Sequence, residues 1–428
     1  MSHPLSVLVV GSGAREHAIA WKLAQSPNVG TIFAAPGNPG MAALAQCVPV
    51  SVTDIEGIVD FAQGRECDLV VVGPEAPLAL GIVDALTRTG LVAFGPTQAA
   101  ARVESSKSWA KELMVRAGIP TAQCQIFSSP EEAAAAARGM GGEVVVKLDG
   151  LAGGKGVAVA ETAQEAEMAV YELCRANPQS AGRILLEERL EGVEVSVLGI
   201  SDGEHVCSLL PAKDHKRVGD GDTGPNTGGM GAVAPSPHLS PEGLDRVHRE
   251  ILEPAVAELA RSGTPFVGVL YAGLMLTREG PKVLEFNCRF GDPETEAILP
   301  LLETDLADLL LAACHGELAG AACEFQASAC VSVVMASPGY PGPYPTGIPI
   351  HLPSDLPPEV VIFHAGTSSR EGVLVSAGGR VLAVTATGDI IETARRRAYA
   401  ACSRVDFPDC HFRRDIGCIR CEAGEYTP

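Results

Sequence analysis

Three polar side chains alternate with apolar ones in a segment that reads LEFNCRFGD, residues 284–292. Because successive side chains of a β-strand point to opposite faces, Glu285, Asn287 and Arg289 are predicted to share one face. A carboxylate and an amide oxygen are hard ligands that suit Mg²⁺, and a guanidinium beside them can stabilise a transferring phosphoryl group. The alternative is an exposed Glu–Arg ion pair. It is disfavoured because the apolar residues that alternate with the polar ones indicate a buried sheet, where unpaired charges are costly.

A glycine-rich segment from Lys147 to Gly156 is the second candidate. It reads KLDGLAGGKG and joins two predicted strands, 143–148 and 156–160. It is not a P-loop, because Asp149 and Gly156 break the motif and a strand follows where a helix is required. Its lysines and backbone N–H groups can nevertheless fold over a polyphosphate. A surface hairpin with solvated lysines explains this segment equally well.

The third candidate is the turn GSGARE, residues 11–16, which follows a predicted strand. It begins like a dinucleotide-binding fingerprint, but Glu16 replaces the third glycine and no acidic residue ends the second strand. NAD binding is therefore disfavoured. The N–H groups at the start of a helix can instead bind an anion, and we expect a substrate phosphate there. A purely structural turn would explain the glycines but not the charged residues that follow them.

Two further segments are less specific. The acidic stretch 185–194 is of a kind that is more often solvated than functional. The segment 214–231 mixes both charges with glycines and is predicted to be a mobile polar loop. Long loops of this type are usually functional or disordered.

The elements that must position these residues indicate an α/β chain. The chain has 428 residues, too many for one hydrophobic core. Apolar strands alternate with helices up to about residue 105, which predicts a parallel sheet with a Gly/Pro loop at the carboxyl end of each strand. Short strands around Gly-Gly turns near the C-terminus predict a small α+β domain. We predict four parts: 1–105, 106–190, 191–327 and 328–428.

Charge and cysteine content exclude several classes of function. The net charge of −20 argues against nucleic acid and anionic membranes as partners, and no stretch is apolar enough to cross a bilayer. The 13 cysteines show no disulfide spacing, which predicts free thiols in a cytoplasmic protein. A zinc site at Cys418 and Cys421 is disfavoured, because no second ligand pair has suitable spacing.

The spacing of these segments resembles the ATP-grasp superfamily, and within it the glycinamide ribonucleotide synthetase family. The resemblance covers nearly the whole chain, and GPNTGGMGA with EFNCRFGDPE is its most specific part; GSGAREHA, APGNPG, VVGPEAPL and FHAG also carry it. It implies ATP-grasp central domains between the N-terminal parallel α/β domain, which binds substrate, and the small C-terminal domain. The lid-bearing part would be 106–190, and the metal site would lie within 191–327.

The resemblance also implies a reaction. ATP would phosphorylate the carboxylate of glycine, and the amine of 5-phosphoribosylamine would displace the phosphate to give glycinamide ribonucleotide in purine synthesis. Mg²⁺ or Mn²⁺ would bind at Glu285 and Asn287, with Arg289 as the catalytic residue. The chain is expected to be a monomer. Residues implied to bind ATP are Lys107, Lys147, Gly153, Gly154, Lys155, Gly156, Glu187, Glu188, Leu190 and Glu194. Residues implied to bind the other substrates are Gly13, Arg15, Gly37, Asn38, Glu75, Asp214 and Asp292.

Three alternatives stay open on the residues alone: an ATP-grasp ligase for a different amine, an ATP-sensing module without catalysis, and a dehydrogenase. The intact polar face at 285–289 disfavours the sensor. One departure from the wider superfamily is that the strand 270–275 offers no second carboxylate ligand. A second is the lid sequence LAGGKG, where LAAGKG is expected, a small change that should be tolerated.

Overall fold

The computed structural model describes residues 3–140, 143–151, 156–178 and 182–418. The N-terminal sheet is parallel, as predicted, and has five strands in the order β3-β2-β1-β4-β5. Its strands are β1 (Leu5–Gly11), β2 (Val29–Pro36), β3 (Gln46–Cys47), β4 (Leu69–Val72) and β5 (Ala93–Phe94). Its helices are α1 (Ala14–Leu23), α2 (Ile55–Gly64), α3 (Glu75–Ala79) and α4 (Ile82–Arg88), with a 3₁₀ turn at Met41–Ala43.

From β1 the chain adds β2 and β3 on one side of this sheet and then β4 and β5 on the other side, so the direction of strand addition reverses between β1 and β4. The loops after these two strands therefore flank the crevice where open α/β sheets bind their ligands. The residues of β1 from Val7 to Val10 are fully buried, as both faces of a parallel sheet require.

A second, antiparallel sheet carries the glycine-rich hairpin, with strand order β6-β9-β7-β8. Two helices pack on it through small apolar residues, including Ala133, Ala137 and Ala166. Its strands are β6 (Cys124–Phe127), β7 (Val144–Leu148), β8 (Val157–Ala160) and β9 (Ile184–Glu188), and the helices of this part are α5 (Arg102–Ser105), α6 (Lys107–Ala117), α7 (Pro130–Gly139) and α8 (Ala163–Ala176).

A third sheet, also antiparallel, has the order β11-β10-β16-β17 and ends in the acidic strand. Its strands are β10 (Val193–Asp202), β11 (Val206–Ser208), β16 (Val267–Thr277) and β17 (Gly280–Asn287). The accompanying helices are α9 (Pro241–Val247), α10 (Glu253–Arg261), α11 (Glu294–Ile298) and α12 (Leu306–His315), with a π-helical turn at His248–Leu252 and a 3₁₀ turn at Leu299–Leu301.

The C-terminal strands form a fourth sheet that also takes two short strands from the polar loop 214–231 and its flanks. The strand order is β12-β15-β18-β22-β19. The strands are β12 (Lys213–Asp214), β15 (Gly231–Ala234), β18 (Ala329–Ala336), β19 (Val360–His364) and β22 (Arg380–Gly388), with α13 (Ile391–Cys402) packed against them. Two hairpins stand apart, β13 (Arg217–Gly219) with β14 (Thr223–Asn226), and β20 (Thr367–Arg370) with β21 (Val373–Ser376).

This pairing was not anticipated from the sequence, which predicted a loop at 214–231. Because β12 and β15 belong to the C-terminal sheet, the loop between them is held at both ends. None of the helices in the described residues is both long and apolar enough to cross a bilayer.

Candidate active site

The acidic strand lies at the edge of its sheet, and its polar residues face one way. Glu285 and Asn287 on β17 are half-buried, whereas Phe286 is only 2% exposed. Neither the Glu285 carboxylate nor the Asn287 amide has a hydrogen-bond partner among the residues that the structure describes. Two oxygen-bearing side chains are thus left open side by side.

Four cationic side chains act electrostatically on Glu285. Burial would raise the pKa of its carboxyl, but the neighbouring charges hold that pKa below its ordinary value. These charges are, in order of effect, Lys216, Lys147, Lys107 and Arg289. The side chain is therefore an ionised carboxylate at neutral pH, as a metal ligand must be.

Strand β17 ends at Asn287, so Arg289 lies just beyond it. The alternation of exposed and buried residues nevertheless continues, with Cys288 and Phe290 both 2% exposed. Arg289 Nε lies 3.3 Å from a carboxylate oxygen of Glu75, which begins α3 in the N-terminal domain. The prediction that Arg289 joins the polar face of the strand therefore holds, although a turn rather than the strand places it there.

Glu104 is a residue that sequence reasoning missed. It lies on the short helix α5, and its carboxylate accepts hydrogen bonds from Arg289 Nη2 at 3.1 Å and from the Cys288 N–H at 2.8 Å. Its side chain is 8% exposed. No motif marked it, since a single glutamate in a helical stretch has no special spacing.

The glycine-rich hairpin brings a lysine to the same region. Lys147 on β7 donates to the Leu284 carbonyl oxygen at 3.0 Å, which joins this hairpin to the acidic strand. Lys107, the first residue of α6, donates to the Gly150 carbonyl oxygen at 2.7 Å. Gly156 is described, and its carbonyl accepts from Leu148 N–H at 2.8 Å. Gly153, Gly154 and Lys155 lie outside the described residues.

Strand β9 places a buried carboxylate beside that lysine. Glu187 Oε2 is 2.9 Å from Lys147 Nζ and 3.3 Å from Lys111 Nζ. Its other oxygen, Oε1, is buried without a partner among the described residues. Glu188 accepts instead from the Gln123 N–H at 3.1 Å, and Leu190 is half-buried just after the strand.

Lys216 is a second residue that sequence reasoning left without a role. Its ammonium group is 2.8 Å from Glu194 Oε2, at the start of β10, and it has the strongest charge effect on Glu285. A small pocket is lined by both residues of this pair and by Ser196, Asp214 and Tyr271.

Asp214 lines that pocket, and its Oδ1 is buried without a partner among the described residues. Burial and the nearby Glu294 carboxylate raise the pKa of Asp214 well above its ordinary value. Glu294 itself accepts hydrogen bonds from Tyr271 at 2.9 Å and from Ser196 at 2.8 Å. A cation that enters here would find the Glu294 carboxylate, held by two neutral donors, and the Asp214 oxygen that has no partner among the described residues.

The glycine turn after β1 is organised by Glu16. Its carboxylate folds back to accept from the Gly13 N–H at 2.6 Å and pairs with Arg15 Nε at 2.6 Å. A Cβ added at Gly11 or Gly73 would lie 2.3 or 2.2 Å from the Glu16 side chain. Glu16 therefore occupies the space that a dinucleotide fingerprint keeps for glycine, which argues further against NAD binding.

Arg15 extends from this turn to the acidic segment. Its Nη1 donates to the Phe290 carbonyl oxygen at 3.2 Å, and the whole residue is 7% exposed. Asp292, two residues further, pairs with Arg380 Nη1 at 3.0 Å. Arg380 begins β22 of the C-terminal sheet and also contacts the carbonyl oxygen of Gly228. The C-terminal domain thus supplies a residue to the site, which the sequence did not indicate.

The loop after β2 is fixed by its own asparagine. The Asn38 amide donates to the carbonyl oxygens of Ser12 at 2.9 Å and His364 at 2.8 Å, and its oxygen accepts from Met41 N–H at 2.9 Å. Gly37, before it, has φ of +70°. The Asn38 side chain thus ties the loops after β1 and β2 to the end of β19.

Three domains therefore meet around one cleft that contains lysines, arginines and a pair of metal-compatible oxygens. The fold and the site define an ATP-grasp enzyme, an ATP-dependent ligase. Three family models match successive parts of the chain. The model of the phosphoribosylglycinamide synthetase N domain matches residues 5–104, that of its ATP-grasp (A) domain matches 105–295, and that of its C domain matches 330–418. The chain belongs to the phosphoribosylglycinamide synthetase family.

Relatives support this assignment over nearly their full length. A phosphoribosylamine–glycine ligase from Escherichia coli is 49% identical, with 96% of this chain and 98% of the relative covered. One from Nostoc is 50% identical, with 96% and 99% covered. A crystal structure of the ligase from Thermotoga maritima has 32% identity and a TM-score of 0.85, covering 96% of this chain and all of that one. A ligase for a different amine is not favoured.

Proposed function

We propose that this chain joins glycine to 5-phosphoribosylamine, with ATP converted to ADP and phosphate, in purine synthesis. The observation that carries the proposal is the Glu285 carboxylate beside Asn287, which the charges of Lys107, Lys147, Lys216 and Arg289 keep ionised. Such an arrangement suits phosphoryl transfer, where catalysis consists mainly of positioning and charge neutralisation. The relatives at 49% and 50% identity supply the identity of the two substrates.

The reaction would run in two steps. The glycine carboxylate attacks the γ-phosphorus of ATP, and ADP leaves, which gives glycyl phosphate. The amine of phosphoribosylamine then attacks the acyl carbon, phosphate leaves, and the amine loses a proton as the amide forms. Arg289, held between Glu75 and Glu104, is proposed to neutralise charge on the phosphoryl group in transfer.

The open oxygens of Glu285 and Asn287 fit a divalent ion, because one carboxylate and one amide leave room for phosphate oxygens and water. We propose that Mg²⁺, or Mn²⁺, binds there; when bound it would neutralise phosphate charge. Lys107 and Lys147 are proposed to contact the phosphates. The segment at Gly153, Gly154, Lys155 and Gly156 would close over them as a lid and keep water from the acyl phosphate.

The adenosine part of ATP is proposed to lie along β9. The unpartnered Oε1 of Glu187 supports this, since a buried acceptor without a donor is costly unless a ligand supplies one. The exocyclic amine of adenine is such a donor. Glu188 and Leu190 would contribute backbone groups of the hinge, and Glu194 would contact the ribose.

Phosphoribosylamine is proposed to occupy the crevice between β1 and β4. Residues proposed to hold it are Gly13, Arg15, Gly37, Asn38 and Glu75. Because the Gly13 N–H and the Asn38 amide already bond within the protein, we propose that these two residues act by shaping the loops around the ligand. Asp214 and Asp292 are proposed to help place glycine, the buried Asp214 oxygen being suited to its ammonium group.

We further propose the four-part division at residues 105, 190 and 327, a monomeric state and a cytoplasmic location. The free thiols of the described residues agree with a reducing compartment.

The test is the release of ADP with glycine and phosphoribosylamine supplied together and with each omitted. Phosphoribosylamine can be generated in the assay from ribose 5-phosphate and ammonia. We expect steady turnover only with both substrates, together with stoichiometric glycinamide ribonucleotide. Steady ADP release with neither substrate would contradict the proposal. Replacement of glycine by other amino acids supplies the matched control and should reduce turnover strongly.

A further inference from the structure

Two cysteine thiols that are distant in sequence lie in contact at the edge of the third sheet opposite β17. Cys207 is on the edge strand β11, and Cys323 is in the connection between α12 and β18. Their Sγ atoms are 2.7 Å apart and their positions differ by 116 in sequence. That separation is only about 0.7 Å longer than a disulfide bond.

The backbone on both sides of this pair is fixed. Cys207 pairs with Ile200 in the β10–β11 ladder. The connection that carries Cys323 is held by the Leu318 N–H, which donates to Asp202 at 3.0 Å, and by the Glu324 N–H, which donates to Thr304 at 2.8 Å. The thiols are therefore held in contact by anchored segments, and they do not depend on a chance encounter of mobile loops.

The pair also differs in acidity from the isolated thiols. The hydrogen bond between the two thiols lowers the pKa of Cys207 below its ordinary value, although burial opposes it. The same hydrogen bond and burial raise the pKa of Cys323. A lone thiol such as Cys314 has its pKa raised by burial to about 12. Cys207 is accordingly the sulfur that ionises first, and the thiolate is the reactive form.

We propose that Cys207 and Cys323 form a modification site, in which hydrogen peroxide converts the two thiols into a reversible disulfide. The Cys207 thiolate attacks one peroxide oxygen, the O–O bond breaks, and Cys207 sulfenic acid and hydroxide result. The Cys323 sulfur then attacks the Cys207 sulfur, the S–O bond breaks, and the S–S bond forms as water leaves. Overall the two thiols lose two electrons and two protons, and peroxide becomes two molecules of water.

The bond would tie the edge strand β11 to the connection that leads into the C-terminal sheet. Because it would close a loop spanning 116 positions, it should restrict the unfolded chain and raise the melting temperature. Neither cysteine is among the residues proposed to bind substrate, ATP or metal. The inference therefore stands independently of the proposed function.

The experiment treats the purified full chain with hydrogen peroxide, blocks remaining thiols, and maps peptides without reduction by mass spectrometry. We expect a cross-linked peptide pair that joins Cys207 to Cys323, about 2 Da lighter than the two thiol peptides together, and its loss after reduction with dithiothreitol. We also expect the melting temperature to rise by about 5 °C and to return after reduction. Oxidation of isolated cysteines while both members of the pair remain thiols would overturn the proposal.

Variants that each lack one cysteine test which of the two sulfurs attacks the peroxide. Cys323→Ser should lose the cross-link and leave a sulfenic acid on Cys207 that dimedone traps. Cys174→Ser, which removes an isolated buried thiol on α8, is the control and should keep the cross-link. A dimedone adduct on Cys323 in Cys207→Ser, with none on Cys207 in Cys323→Ser, would overturn the assignment of Cys207 as the attacking thiolate. The wild-type peptide map does not depend on the folding of any variant.

Discussion

At the scale of single residues, Arg289 is held from two directions. Glu75 of the N-terminal domain pairs with its Nε, and Glu104 of α5 pairs with its Nη2. Glu104 also accepts from the Cys288 N–H, so it fixes both the side chain and the peptide after Asn287. A guanidinium held in this way needs little reorganisation when charge develops beside it, which is the condition for strong electrostatic catalysis.

Glu104→Gln tests this role. The amide keeps the size of the side chain but removes the charge that orients Arg289, so we expect kcat to fall by roughly 10- to 100-fold. KM for ATP should change by less than about threefold, because the substitution leaves ground-state contacts with ATP in place. Steady-state kinetics at saturating glycine measures both.

The control for this substitution is Glu112→Gln, an exposed glutamate on the neighbouring helix α6. It should leave kcat and KM unchanged. A loss of similar size in KM for ATP and in kcat for Glu104→Gln would indicate general damage to the cleft, and would count against a role specific to Arg289.

At the scale of elements, the turn between β1 and α1 depends on the space around Glu16. Gly73 follows β4, and a Cβ there would lie 2.2 Å from Glu16 Oε1. Gly73→Ala should therefore displace the carboxylate, release the Gly13 N–H and unpair Arg15. We expect a loss of about 1 to 3 kcal/mol in the free energy of unfolding, as in other overpacked sites. KM for phosphoribosylamine should rise, since both loops of the crevice shift.

Gly64→Ala is the matched control, because nothing lies within 4 Å of the added Cβ and the residue ends helix α2. Here alanine should be neutral or stabilise the protein by up to about 1 kcal/mol, since it favours helix. Urea unfolding of both variants gives the comparison. Equal effects of the two substitutions would show that the contact with Glu16 is not responsible.

The same elements show what sequence could and could not predict. The apolar runs of β1 and β4 and the alternation around Glu285 were sufficient to place these strands, because side-chain period and burial are local properties. Glu104 and Arg380 were missed because their roles depend on contacts across 185 and 88 positions, to Arg289 and Asp292. The strands β12 and β15 were missed for a similar reason: their pairing partners lie in the C-terminal sheet.

At the scale of the whole molecule, two buried histidines join the N-terminal and C-terminal domains. His17 on α1 accepts from the His364 N–H through Nδ1 at 2.8 Å, and the two rings lie 5.6 Å apart. His364 ends β19 of the C-terminal sheet, and its carbonyl accepts from Asn38 in the loop after β2. The contact therefore lies next to the crevice proposed for phosphoribosylamine.

Both histidines are neutral in the folded chain. Burial lowers the pKa of His17 to about 3, with a smaller contribution from His364, and burial lowers the pKa of His364 to about 4. In the unfolded chain both titrate near their ordinary value of about 6.5. Between these values the unfolded state binds more protons, so stability rises with pH. The contribution of the two neutral histidines to the free energy of unfolding is complete above about pH 6.5. It is lost progressively as the pH falls toward their pKa values in the folded chain.

Two groups shifted in this way predict a loss of about 2 to 5 kcal/mol between about pH 6.5 and 4.5. Urea midpoints measured across this range give the slope. His17→Asn places an amide oxygen near the position of Nδ1, so it retains an acceptor for the His364 N–H but does not titrate. The part of the pH dependence of the free energy of unfolding that is due to histidine should therefore be about half as large in the variant. If the slope of His17→Asn equals that of the wild type, the acid sensitivity belongs to other groups and the interdomain contact is not its source.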